Sequence, residues 1–312
     1  MKKIMICALA AVTLAACSKH ENGGDAVPEG DVAIRLSAGV PTAAVTPGGK
    51  APIVENDLFT AGVAGWETTT IPTYAAETWK SSAADIKANT AAQNITLSPV
   101  QVYNASNDIK TFIKAWYPAG TLSNGIVTFD NATGEVDAML AATVSGSKRA
   151  QVSTPLAFAH KTTQLVFKVA GEKSLAAGTT LTSIIVKNVQ KPVGFDLTKE
   201  AATAGSVTFA AGADLTVPGI STPAIPIETD APATPLTVGK PVMVKPLSGN
   251  SFKLDIETSN AEYKNVTATI DTDVNFAEGK AYTITLTFKQ TGISPKATVA
   301  DWTTGTGTGD VE

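Results

Sequence analysis

The residues able to do chemistry in this chain are few, and their types exclude most enzymes before any fold is considered. Two histidines occur in 312 residues. His20 lies in a polar stretch near the N-terminus, and His160 stands at the entry to an apolar, β-branched segment, where a structural role suits it better than general-base catalysis. No Gly-x-Ser-x-Gly elbow or Ser-x-x-Lys pair supplies an activated nucleophile. A zinc site needs several His or Cys ligands, which one such histidine and two N-terminal cysteines do not provide. The 28 carboxylates furnish many pairs, but no spacing singles out the two that a glycosidase would use. Asp271-Thr272-Asp273-Val274-Asn275 starts like a calcium loop, yet Phe276 takes the place of the glycine and Tyr282 that of the bidentate glutamate. Gly305-Thr306-Gly307-Thr308-Gly309 opens no helix whose amides could hold a phosphate. The expectation is a protein with no catalytic residues, no metal and no cofactor.

One residue remains chemically marked. Lys2 and Lys3 precede the apolar run Ile4–Val12, which is too short to cross a bilayer as a helix and has the form of a secretory signal. Leu14-Ala15-Ala16-Cys17 follows it and resembles a bacterial lipobox. That resemblance implies removal of residues 1–16 and acylation of Cys17 Sγ, an anchor made durable by several acyl chains. Cys7 would leave with the signal, so the mature chain has no disulfide. Its roughly 295 residues suffice for about two domains without such staples.

The elements that carry these residues read as β-strands. Val32, Ile34 and Leu36 alternate with Ala33, Arg35 and Ser37, and the same period of two recurs at 94–97, 112–117, 126–129, 164–169, 181–186, 251–257, 266–270 and 282–288. Residues 17–31 form a polar tether and 39–52 a Pro- and Gly-rich loop. At 83–88 the residues also allow a few minor helical turns, which Ser81 or Ser82 could cap. Pro218, Pro223, Pro226, Pro232 and Pro235 make 212–240 too proline-rich for a central strand. No repeat of 20 to 50 residues suggests a solenoid. An all-β chain of antiparallel sandwiches follows, with domains at 32–152 and 153–312. Nucleic acid is an unsuitable partner, because the net charge is −4, loss of Lys2 and Lys3 deepens it, and Arg35 and Arg149 are the only arginines.

Several motifs in order, namely the lipobox, Val32–Gly39, Phe112–Pro118, Asp137–Ala141, Leu156–His160 with Leu165–Val169, Tyr282–Leu286 and Ala300-Asp301-Trp302, resemble the fimbrillin family of Bacteroidales, its FimA/Mfa-like major and accessory pilins. The resemblance implies two transthyretin-like β-sandwich domains in tandem and export to the outer membrane as a lipoprotein. It also implies a trypsin-like, often arginine-specific protease that removes the lipid and the first strand, and fimbrial subunits as partners that fill the vacated groove with a C-terminal segment. Arg35, with the cut before Leu36, matches the processing position; an ordinary outward-facing strand arginine is the other reading. Residues 293–312 would be the donor, with Ile293, Ala297, Val299 and Trp302 as its apolar contacts, although Trp302 could serve its own core. The family's anchor and some tip subunits escape processing, and those roles stay open. A monomeric surface lipoprotein that binds glycan or host protein through Trp66, Tyr74 and Trp79 is the alternative, although core packing explains these aromatics at least as well; an esterase or glycosidase is a third.

Overall fold

The computed structural model describes residues 30–40, 53, 57–88, 91–198, 206–229, 231–270, 276–290 and 292–301. Among them lie twenty-one strands and no α-helix. The first eleven are β1 (Leu36–Gly39), β2 (Leu58–Thr68), β3 (Trp79–Lys87), β4 (Gln93–Ile95), β5 (Leu97–Ser98), β6 (Lys110–Tyr117), β7 (Thr121–Ser123), β8 (Ile126–Thr128), β9 (Met139–Ala141), β10 (Val144–Gly146) and β11 (Leu156–His160). All but β7 and β8 make one sheet, ordered β4-β1-β11-β9-β6-β2-β3-β5, with β10 beside β6. Its two end strands are joined by Thr96 alone, so the sheet curls round a core that includes Ile34, Leu36, Phe59, Ile113 and Phe158.

Each segment read from its alternation carries strand pairing, whereas the helical turns allowed at 83–88 give way to β3. Ala83 pairs with Ala61 and is buried, as is Ile86. Burial between β2 and β5 overrides alanine's helical preference, which is a weak prior. Two glycines of β2 explain two tryptophans: a Cβ on Gly62 would meet the Trp116 indole at 2.5 Å, and one on Gly65 the Trp79 indole at 2.1 Å.

The remaining strands are β12 (Thr163–Gly171), β13 (Leu181–Val189), β14 (Pro192–Asp196), β15 (Val207–Phe209), β16 (Ala213–Thr216), β17 (Leu236–Val244), β18 (Ser251–Thr258), β19 (Glu262–Thr269), β20 (Lys280–Lys289) and β21 (Gly292–Asp301). Two four-stranded sheets, β17-β12-β20-β21 and β16-β13-β18-β19, enclose a core containing Phe167, Ile184, Leu254, Tyr282 and Phe288. The proline-rich stretch supplies only the edge strands β16 and β17, where a missing N–H disturbs one ladder at most. Pairing is mostly antiparallel; β1 with β11 and β12 with β20 are parallel.

The change from one core to the other falls at Lys161 and Thr162, not at 152. β11, assigned from sequence to the second domain, bonds to β9 and β1 of the first sheet. A fourth sheet, β15-β14-β8-β7, spans the divide. Its β7–β8 hairpin turns on Asn124 and Gly125, both at positive φ, as a two-residue turn of this hand requires. Phe195 and Leu197 from the second half pack there with Trp116, Val127 and Leu140 from the first.

On the outer face of the second sandwich Lys187 pairs with Asp214 and, at 3.1 Å, with Asp255, tying three strands together. Hydrogen bonding to Asp214 and Asp255 raises the Lys187 pKa. The bond to Lys187 lowers that of Asp214, and the Asn265 amide lowers that of Asp255. Depressed carboxyl pKa values stabilise the fold above the unfolded value near 3.8, and this is lost as pH falls through the lower folded values. The raised lysine value contributes below 10.5 and is lost as pH rises beyond it. The expected result is that Lys187→Met lowers the urea midpoint at neutral pH, and that the difference from the parent fades on strong acidification and in strong alkali. A difference unchanged by acid would contradict the assignment.

Candidate functional site

The chain before β1 is held by its backbone rather than by a ladder. The Ile34 amide donates to the Gln101 carbonyl at 2.8 Å, and the Tyr103 amide donates to the Val32 carbonyl at 2.9 Å. Ala33 forms an isolated antiparallel bridge with Val102. Ile34 is buried, and Val32 packs against the same core. From Leu36 onward the partner changes, with Leu36 opposite Ile95 and Ala38 opposite Gln93. Arg35 stands at this hand-over, exposed and outside both pairings, while Leu36 behind it is buried. A groove of about 580 Å³ runs beside it, lined by Ile34, Leu36, Asn94, Leu97, Val152 and Thr154.

Tyr103 joins the two walls of this region. Its ring is buried, and its hydroxyl accepts a hydrogen bond from the Val152 amide at 2.8 Å. Burial pushes its phenol pKa up, partly offset by that bond. Val152 belongs to the connection between β10 and β11, which turns sharply at residues 147–150. There the Ser147 amide donates to the Ala150 carbonyl at 2.8 Å, and the Ala150 amide to Ser147 Oγ at 3.2 Å. Lys148 Nζ reaches the Gly30 carbonyl at 3.0 Å. Arg149, the second arginine, is exposed on this turn.

The C-terminal candidates lie elsewhere. Ile293, Ala297 and Val299 sit on β21, paired with Phe288, Ile284 and Tyr282 of β20. Ala297 is buried and also bridges Ile270; Ile293 is half-buried on the core, and Val299 is 44% exposed. These residues are therefore part of their own subunit's sandwich. Trp66, Tyr74 and Trp79, the candidate platforms of the alternative reading, serve mainly as packing, which is the other account their residue types allowed. Trp66 and Tyr74 are buried edge to face at 5.3 Å, Lys114 Nζ covers the Tyr74 ring at 3.7 Å, and Trp79 lies on Gly65. The Trp66 and Tyr74 rings are thus packed inside the fold, whereas Trp79 is half-buried.

His160 is 3% exposed, and its Nδ1 lies 2.9 Å from Asp137 Oδ2, which also accepts from the Ile53 amide at 3.3 Å. Both side chains are buried, and the pair ties the end of β11 to the residue pair ahead of β9 where the chain crosses between the cores. Among the described residues no group of three His, Cys, Asp or Glu side chains is placed to hold a metal ion. Sequence reading missed Tyr103 and the 147–154 connection, for neither carries periodicity or a motif; only the tertiary approach of residues 32, 103 and 152 reveals them.

A model of the fimbrillin-like family matches residues 53–302. The chain belongs to the fimbrillin-like family. Among solved structures this fimbrillin is similar to a proposed cell adhesion protein from Bacteroides uniformis, at 18% identity and a TM-score of 0.56, covering 89% of this chain and 100% of that one. It is also similar to a proposed cell adhesion protein from Bacteroides ovatus, at 14% identity and a TM-score of 0.50, covering 88% and 99%. Both likenesses concern the fold. A comparison with curated proteins found no match. The matched span of the fimbrillin begins beyond Arg35. Its lipid-acceptor candidate Cys17, most of the tether and the donor candidate Trp302 lie outside the described residues.

Proposed function

We propose that this fimbrillin is a structural subunit of a surface fimbrium, serving adhesion rather than catalysis. It is exported as an outer-membrane lipoprotein through Cys17, cut between Arg35 and Leu36 by a trypsin-like protease, and joined to other fimbrillin subunits by strand exchange. The observation that carries this reading is the placement of Arg35, exposed at a break between two strand pairings with the chain buried on either side. A protease needs an exposed, locally yielding stretch, and such a break offers one at small cost.

The cut has a more limited consequence than loss of a whole strand. β1 starts at Leu36 and stays bound to β4 and β11. Of the described residues, 30–35 leave, exposing the Gln101 carbonyl, the Tyr103 amide and the apolar surface that Val32 and Ile34 covered. Unpaired backbone beside apolar surface invites an incoming strand. Should β21 be the donor, it must first unpair from β20 along the whole run from Gly292 to Asp301.

N-terminal sequencing and intact mass of protein shed from the cell surface test the reading. A start at Leu36 without lipid, together with a ladder of heat-sensitive oligomers that Arg35→Ala abolishes, is expected. An acylated Cys17 start on every copy would instead make the chain an anchor or a stand-alone lipoprotein.

A further inference from the structure

We propose that Arg149 is a second, conditional site of arginine-specific cleavage, closed while residues 30–35 are in place and opened when they leave. The proposal rests on the reading that the chain is cut after Arg35, and it adds what that cut releases.

Two links fasten the 147–154 connection to the N-terminal segment, and the two segments share a groove. Lys148 Nζ bonds the Gly30 carbonyl. Tyr103 binds both partners at once, its amide on the Val32 carbonyl and its hydroxyl on the Val152 amide. Val152, Ser153 and Thr154 line the same groove as residues 33–37. The connection is also folded tightly on itself. A Cβ on Gly146 would come within 2.6 Å of the Val152 nitrogen, so nothing larger than glycine fits beneath it. Endopeptidases take their substrates extended over several residues. The turn closed between Ser147 and Ala150 must therefore open before the Arg149–Ala150 bond can enter such a site.

Loss of residues 30–35 removes the Lys148 partner and frees the Tyr103 amide, which loosens the hold of Tyr103 on Val152. Hydrolysis at Arg149 would consume one water, leaving a carboxylate on Arg149 and an ammonium on Ala150. The pieces would remain together, because β11 pairs with β9 and β1, and the sheet β15-β14-β8-β7 spans both halves.

An arginine-specific endopeptidase added to the purified full chain tests this, since Arg35 and Arg149 are its only targets. Cutting at Arg35 is expected to precede cutting at Arg149. In the Arg35→Gln chain, the Arg149 cut should be about tenfold slower, the change that one or two hydrogen bonds make in the population of a locally open state. Adding Tyr103→Phe to Arg35→Gln, which removes only the hydroxyl that holds Val152, should recover most of that rate. Equal Arg149 rates in the parent and Arg35→Gln chains, or an Arg149 cut that comes first, would overturn the proposal, as would a Tyr103→Phe double variant no faster than Arg35→Gln alone. The outcome is independent of whether cells cut at Arg35, which the terminal sequencing decides.

Discussion

Asp137→Ala is expected to destabilise the chain by about 1–3 kcal/mol, because it leaves buried hydrogen-bonding groups without their partner. His160 Nδ1 loses its carboxylate contacts at 2.9 and 3.1 Å, and the Ile53 amide loses its acceptor. Both groups lie where the chain passes from β11 to β12, flanked by the Lys161–Glu278 ion pair and the Lys161 amide's bond to Ala138. The loss is therefore felt by both cores. Urea unfolding should show a lower midpoint at nearly constant slope, and Asp137→Asn, which keeps an oxygen for Ile53, should lose less. A midpoint unchanged in Asp137→Ala would mean that the pair is dispensable to the crossing.

Phe195→Ala is the second large effect, at about 3–5 kcal/mol for a fully buried aromatic in a site that cannot easily collapse. Phe195 comes from the second half of the chain but packs with Trp116, Val127 and Leu140 of the first, and tilts against Phe129 at 5.5 Å. Phe195 and Val127 belong to the sheet that joins the halves, while Trp116 and Leu140 belong to the first sheet, so the loss should also weaken the coupling between them. Calorimetry of the parent is expected to show one transition, lowered in the variant by on the order of 10 °C and broadened or split. Ile71→Ala, at a side chain 69% exposed, should move the transition little and serves as the control. A variant that melts as the parent does would show that the spanning sheet carries no load.

The strands with one buried face were legible because their side chains alternate. β20 is the clearest, with Tyr282, Ile284, Leu286 and Phe288 inward and threonines between them. β2 was not legible. Six consecutive residues, from Ala61 to Trp66, are buried, and a strand covered on both faces has no period of two to read. β3 was misread because Ala83-Ala84-Asp85 looks helical locally, while its strand state depends on β2 and β5. At the candidate site, Arg35 could be picked out as the only arginine in the first 148 residues. Its position at a break in pairing could not.

By itself the sequence determined the all-β class, the absence of a central strand from the proline-rich stretch, and the scarcity of groups able to catalyse. Each follows from side-chain type and local spacing, which act within a few residues. The tertiary structure alone decided that β11 belongs to the first sheet, that one sheet spans both halves, and that Tyr103 links residues 32 and 152. Such features depend on contacts between distant segments, and no local period records which strand will meet which. Asp137 finds His160, and Lys114 donates to the Leu197 carbonyl, only after the chain has closed loops of 23 and 83 residues.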